Sequence, residues 1–282
     1  MSEQTSLFRE DFFRMKNSET IFYRLYVPEN PKGSIMVIHG HAEHSGRYQH
    51  VLEYFAARGY AVAAPDIPGF GRSGGTPGDM KSFRGAMEAV GELARFFVVH
   101  RKFPKMFLLG HSMGGCMVLS LAGLYPELWK GLVTTGAMIM IPDYVSPALK
   151  VVSGILAALL PKLPVQKLDF NKMTQSEDAK EAARQDPLYY KGKIRARTGI
   201  QLLKGINLAR SVLPSITVPA LILHGTADVI MPAAGSEIIN AEIGSKDKTL
   251  KYFDGLFHEL LNEPGKEKIL ELIGNWIDEH DK

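Results

Sequence analysis

One cysteine, Cys116, is all that this 282-residue chain contains. No disulfide can form within it, and a small, disulfide-stapled secreted design is excluded. Long apolar runs are missing too: none reaches the roughly 18–20 residues that a membrane-spanning helix requires. Excess charge of one sign is slight. Lys and Arg number 33 against 30 Asp and Glu, a net +3, without the dense basic stripe of a nucleic-acid binder, so no nucleic acid is expected as a partner. The opening MSEQTSLFREDFF carries acidic residues and lacks the apolar centre of a signal peptide. These absences lead to the expectation of a cytoplasmic protein.

What is present is ordinary globular composition, 45% hydrophobic and 22% charged, enough for one substantial core plus an insertion. The segments FREDFFRMK and ETIFYRLYVPE are aromatic-rich and partly alternating, which predicts an antiparallel hairpin-like start. Short continuous apolar runs follow at Ser34–His39, Ala61–Ala64, Met106–Leu109, Gly131–Thr135, Ala220–Leu223 and Leu250–Phe253. Such runs suit strands buried on both faces. Helix-period segments lie between several of them. Phe83–His100 has Ser82 placed as its N-cap, and Glu267–Glu279 puts Ile269, Leu270, Ile273, Trp276 and Ile277 on one face, with Pro264 fitting its start.

The alternation predicts an α/β architecture: a mostly parallel central sheet with helices on both faces. It breaks between residues 137 and 214, where helical patterns continue without a convincing buried strand. The expected division is a core of residues 1–136 and 215–282, interrupted by a helical cap at 137–214. Inside the cap, Val145–Pro161 reads as an apolar helix with Ser146 as its cap. Packing on the core and touching lipid are both open to it, and neither excludes the other.

The chemistry is carried by LLGHSMGG. Gly110-His111-Ser112-Met113-Gly114 is the G-x-S-x-G pattern of a nucleophile elbow, after a buried-strand pattern (KMFLL) and before a helical one (CMVLSLAGLYP). A serine hydroxyl at neutral pH needs a base, and the base needs an acid to orient it. In the α/β-hydrolase fold the order along the chain is Ser, Asp or Glu, then His. His224, His258 and His280 follow Ser112. His280 ends a polar terminal helix and His224 ends the strand ALILH, whereas His258 falls in a loop between a strand and the last helix. His258 is therefore the expected base. Asp228, in LHGTADVIMP, is the expected acid, since the rival Asp254 stands in a DG turn. The backbone amides of Met113, after the nucleophile, and His41, in the loop after Ser34–His39, are the expected oxyanion donors.

A metal reading competes with this one. HGHAEHSGRYQH gathers His39, His41, His44 and His50 around Glu43 and approximates an H-x-H-x-D-H ligand pattern, with Glu at the acidic position. No second cluster supplies the remaining ligands convincingly, so no metal and no cofactor are expected. An aspartate-nucleophile hydrolase is disfavoured by serine at the elbow. A catalytically silent binding protein is disfavoured because it has no need to keep all three of Ser112, Asp228 and His258.

HGHAEHSGRY, DIPGFGRSGG, GHSMGG, HGTADVIMP and FHELLNEPG, in this order, resemble the monoacylglycerol lipase and lysophospholipase branch of the α/β-hydrolases over nearly the whole chain. The resemblance implies the same triad and oxyanion donors, no metal, and a cap facing lipid. The substrate it implies is a single-chain lipid ester, monoacylglycerol first, with lysophospholipids or small soluble esters as the alternative. It also implies that Glu43 and Arg47 shape the polar, head-group end of the site. A buried ion pair anchoring the loop would explain those two residues equally well. Two positions depart from the branch: His41 replaces a small or apolar residue, and Leu261 stands where some relatives place a polar contact to glycerol.

Overall fold

Alternate side chains of the central strands enter two separate apolar cores, which is why these strands read as unbroken hydrophobic runs. The computed structural model describes residues 7–16, 19–141 and 157–281. Its strands β1 (Leu7–Arg14), β2 (Thr20–Val27), β3 (Gly33–Ile38), β4 (Tyr60–Pro65), β5 (Met106–His111), β6 (Trp129–Thr135), β9 (Ala220–Gly225) and β10 (Lys248–Phe253) form one eight-stranded sheet. The order across it is β1-β2-β4-β3-β5-β6-β9-β10. Pairing is antiparallel from β1 to β2 and from β2 to β4, and parallel across the rest.

Met36 and Ile38 of β3, Leu108 of β5 and Ile222 of β9 join the core under α2 (Phe83–His100), α3 (Met113–Leu124) and α6 (Ala234–Glu242). Their neighbours Ile35, Val37, Phe107, Leu109, Leu221 and Leu223 join the other core, under α1 (Gln49–Ala57) and α7 (Lys266–His280). Side chains alternate across a strand, so helices on both faces demand apolar residues at every position. The α/β-hydrolase fold expected from the sequence is the one observed.

Several local expectations meet their elements. The opening hairpin pairs Leu7 with Val27 through Arg14 with Thr20. Ser82 caps α2 by accepting a hydrogen bond from the Gly85 amide at 3.0 Å. Two expectations are corrected. Leu250–Phe253 lies in β10, which is half-exposed because β10 is an edge strand with a neighbour on one side only. The last helix starts at Lys266, behind a left-handed Gly265 (φ 79°), which leaves Pro264 just outside it.

Between β6 and β9 the chain leaves the sheet. The described part holds a short antiparallel ribbon of β7 (Pro164–Gln166) and β8 (Ile194–Arg195), then α4 (Glu177–Gln185) between those strands, and α5 (Ala196–Val212) after them. The ribbon was not legible in the sequence, because strands this short carry no periodicity. The helix expected at Val145–Pro161 lies outside the described residues except for its last five positions, of which 157–159 are helical. α5 packs against α3 and α2, so the excursion ends rooted in the core.

Candidate active site

At the carboxyl end of β5 the backbone makes an abrupt turn. Ser112 has φ 52° and ψ −114°, a left-handed conformation that a residue with a Cβ adopts only under constraint from its surroundings. Three hydrogen bonds hold it there. Its amide donates to the Thr135 carbonyl at 3.0 Å, and its carbonyl accepts from the amides of Cys116 and Met138 at 3.1 and 3.0 Å. The turn also requires Gly114, because a Cβ there would lie 2.1 Å from the Ile38 carbonyl oxygen. α3 can thus approach β3 closely, with its amino end beside the serine. The first amides of a helix lack intrahelical acceptors and carry the positive end of its dipole. Met113 supplies the first of them.

Asp228 follows β9, at the same end of the sheet. Its Oδ1 accepts from the amides of Ile230 and Met231 at 2.8 and 2.9 Å, and its Oδ2 accepts from Nδ1 of His258 at 2.6 Å. His224 adds a second imidazole, with Nε2 at 3.2 Å from the same Oδ2 and 3.0 Å from the Met231 carbonyl, while Ser236 holds its Nδ1 at 2.7 Å. The carboxylate is completely enclosed. Burial alone would raise its pKa, but His258, His224 and the backbone donors hold it well below the usual carboxylate range. Burial pulls His258 the other way. The charge and hydrogen bond of Asp228 outweigh that burial and raise the imidazole above its ordinary value. With Nδ1 donating to Asp228, Nε2 is the free basic nitrogen. The rival Asp254 accepts from the Thr226 hydroxyl at 3.1 Å, in its turn, and His280 sits near Asp247 at the end of α7.

Ser112 and His258 line one cavity together with Gly40, His41, Glu43, His111 and Glu259. Apart from Gln166 and Tyr189 the remainder of its wall is mainly apolar: Met138, Leu168, Met173, Ile194, Leu202 and Ile206 come from the excursion, Ile230 and Met231 from the segment after β9. Its volume is about 130 Å³.

Glu43 accepts from the Gly40 amide at 2.8 Å, the Tyr48 hydroxyl at 2.7 Å and Arg47 Nε at 3.0 Å. Arg47 continues to Glu259 at 2.6 Å, and Asn262 donates to that carboxylate at 3.0 Å. Burial opposes ionisation of Glu43, yet Arg47 and these donors hold its pKa at about 2. The geometry is that of a loop anchor: the three hydrogen bonds that Glu43 accepts all come from residues 40–48, although it also borders the cavity. Arg47 does not line the cavity. Leu261 requires a correction. Its side chain joins the core under α1 and α7 rather than the cavity, because the 3-10 turn at Leu260–Asn262 faces it inward, and its carbonyl accepts from His50. The polar residue that reaches the cavity from this segment is Glu259.

Sequence reasoning missed three members of the site. Glu259 had only its place beside His258 to mark it. His111 occupies the variable position of the elbow, and its ring centroid lies 4.6 Å from that of His258. Burial, then the charge of His258, keeps it neutral with a pKa of about 4. His224 was expected merely to pack at a strand end, since nothing local shows that it supports Asp228.

Two of the three histidines of HGHAEH are engaged separately. His39 accepts from the Ile67 amide at 2.9 Å and lies 2.7 Å from the Gly40 carbonyl, while His44 pairs with Asp186 at 2.6 Å. Among the described residues no three His, Cys, Asp or Glu side chains are grouped as metal ligands.

The fold and site define a serine hydrolase of the α/β-hydrolase class. The family model described as "Serine aminopeptidase, S33" matches residues 29–265, and the chain belongs to that family. It is 34% identical over 265 residues to a monoacylglycerol lipase of Mycolicibacterium smegmatis, covering 92% of this chain and 93% of that one. The human monoglyceride lipase is 29% identical over 269 residues, covering 93% and 88%. Among solved structures, the monoacylglycerol lipase of Paleococcus ferrophilus superposes with a TM-score of 0.84 at 28% identity, over 92% of this chain and 99% of that one.

Proposed function

We propose that the protein hydrolyses carboxylic esters of single-chain lipids, cleaving monoacylglycerol to glycerol and free fatty acid. The observation that carries this reading is the apolar cavity that ends at Ser112 and His258. One acyl chain fits such a wall, and the ester at its end meets the polar groups. Ser112 Oγ attacks the carbonyl carbon while His258 Nε2 takes its proton, with Asp228 stabilising the imidazolium. The amides of Met113 and His41 receive the oxyanion. Collapse of the tetrahedral intermediate breaks the bond to the alcohol oxygen, which leaves with the proton from His258. Water then repeats the sequence on the acyl-enzyme and frees the fatty acid and Ser112. No step uses a metal or cofactor. Glu43 and Arg47 act by holding the loop that presents His41.

The same proposal makes residues 137–214 a cap over a core of 1–136 and 215–282, with α5 as its fixed root. No helix among the described residues is long and apolar enough to cross a membrane. Leu159, Leu160 and Leu163 are exposed on the cap, which suits a cytoplasmic enzyme that docks transiently at a lipid surface.

The test is the initial rate on a monoacylglycerol series beside matched lysophosphatidylcholine and short p-nitrophenyl esters, with Ser112→Ala as control. Monoacylglycerol turnover above the others, lost in Ser112→Ala and unchanged by EDTA, is expected. Activity confined to short soluble esters would remove the lipid assignment, and activity surviving Ser112→Ala would remove the mechanism.

A further inference from the structure

A second cavity, of about 290 Å³, adjoins the first, and His41, Leu168, Met173, Tyr189 and Ile194 line both. At roughly 10–15 Å³ per enclosed water, it has room for a group of about ten heavy atoms or more. Its character differs from that of the acyl cavity. Lys167, Arg184 and Lys191 stand on its wall, and no Asp or Glu does. Arg184 pairs with Glu181 at 3.1 Å and donates to Asn171, also on the wall, at 3.3 Å. Among the described residues, Lys167 and Lys191 have no carboxylate within ion-pair distance. The closest carboxylates along the chain are engaged elsewhere: Asp169 caps a 3-10 turn, and Asp186 binds His44.

His41 stands where the two cavities meet. Its ring lies edge-on to Phe70 and Tyr190, with centroids 5.2 and 6.5 Å away. Its Nδ1 is enclosed and has no hydrogen-bond partner among the described residues. An enclosed ring nitrogen left without a partner costs free energy unless something else binds it. Burial, then the charge of His39, keeps this ring neutral with a pKa of about 4, so it can bind as a hydrogen-bonding group without adding charge.

We infer that the second cavity is the leaving-alcohol subsite and favours esters whose alcohol half carries an anionic group, a phosphate or a carboxylate. Lys167, Arg184 and Lys191 receive the anion, and the His41 side chain contacts the alcohol as it passes. This rests on the ester-hydrolase reading above and deepens it. The acyl half lies in the first cavity, and the alcohol oxygen lies between His258 and His41. A two- or three-carbon spacer carries the anion to the cations. His41 thus has two separable parts, a backbone amide for the oxyanion and a side chain for alcohol choice.

The test uses hexanoyl esters below their micelle concentration, so that attraction of a basic surface to a charged aggregate is not read. Three are compared: 1-hexanoylglycerol, 1-hexanoylglycerol 3-phosphate and the hexanoyl ester of glyceric acid. The phosphate and carboxylate arms show which anion is preferred. The wild type is expected to turn over at least one anionic ester with kcat/KM about tenfold above hexanoylglycerol, the effect of a few partly screened charge contacts. The triple variant Lys167→Glu/Arg184→Glu/Lys191→Glu, altered only at exposed side chains, should remove that preference through KM and leave hexanoylglycerol within about twofold. His41→Ala should narrow the discrimination between alcohols, and His41→Gln, which keeps a hydrogen-bonding side chain, should restore part of it. Wild-type preference for the neutral ester, or a triple variant with unchanged or uniformly lowered rates, would overturn the subsite and leave the ester-hydrolase reading standing. Failure to hydrolyse any of the three, or any ester, would overturn that reading instead.

Discussion

Asp228 does two jobs for His258: it selects the tautomer and raises the imidazole pKa against the opposing effect of burial. A general base must be neutral, so with His258 in the proposed role activity should fall as pH drops through its pKa. Because that pKa is raised, the acid limb of kcat/KM should have its midpoint above the ordinary histidine value of about 6.5. In Asp228→Asn burial still lowers the pKa while the raising charge is gone. The midpoint should move to lower pH, and kcat should drop on the order of 10³–10⁴-fold, as expected when the tautomer is wrong. A pH-rate profile of both proteins checks this; an unmoved midpoint would mean that another group titrates. Glu43 follows a different sign. Its folded pKa is depressed to about 2, so its contribution to stability is complete above an unfolded value near 4.3 and is lost as pH falls toward 2. The pairing of Asp228 with His258, and their place beside Ser112, were legible because each sits in a distinctive local sequence. Leu261 was misplaced because one residue's rotation in a 3-10 turn decides between cavity and core, and no local pattern records it.

At the scale of elements, the elbow depends on β3 and α3 coming closer than two side-chain-bearing backbones can. Gly114→Ala would place a methyl 2.1 Å from the Ile38 carbonyl and 2.6 Å from that of His39. Overpacking should cost about 1–3 kcal/mol and displace Ser112, so activity should fall by more than the folded fraction does. The contrast is Ser82→Ala, which removes only the cap of α2 and should cost about 1 kcal/mol with activity per folded molecule unchanged. Denaturant melts paired with active-site titration separate the two. A Gly114→Ala protein with full activity per site would refute the close-approach argument. Element types were readable wherever a strand is buried on both faces or a helix has a marked apolar stripe. The β7–β8 ribbon was not, since two- and three-residue strands are defined by what they pair with.

For the whole molecule, the excursion between β6 and β9 is stitched to the loop that carries His41. The Tyr190 amide donates to the Ala42 carbonyl at 2.9 Å, His44 pairs with Asp186, and Ala42, Ala183 and Tyr189 share a small apolar cluster. Contacts of this kind fasten the excursion to the loop that carries His41. Leu159→Glu/Leu160→Glu, at positions 73% and 54% exposed, should leave stability and the rate on monomeric esters intact while reducing co-sedimentation with phosphatidylcholine vesicles. Equal vesicle binding by variant and wild type would show that this patch does not contact lipid.

By itself the sequence determined the fold class and the strand-turn-helix setting of Ser112. Buried-strand runs, helix stripes and the elbow are local patterns, and the physics that imposes them acts over a few residues. Tertiary structure alone decided that Glu259 rather than Leu261 faces the cavity, that the His224 ring of β9 turns toward Asp228, and that His41 stands between an apolar and a cation-lined space. Those outcomes depend on which side chains meet across the ends of different strands, at separations along the chain of up to 212 residues for Arg47 and Glu259. No periodicity within a segment encodes distances of that length.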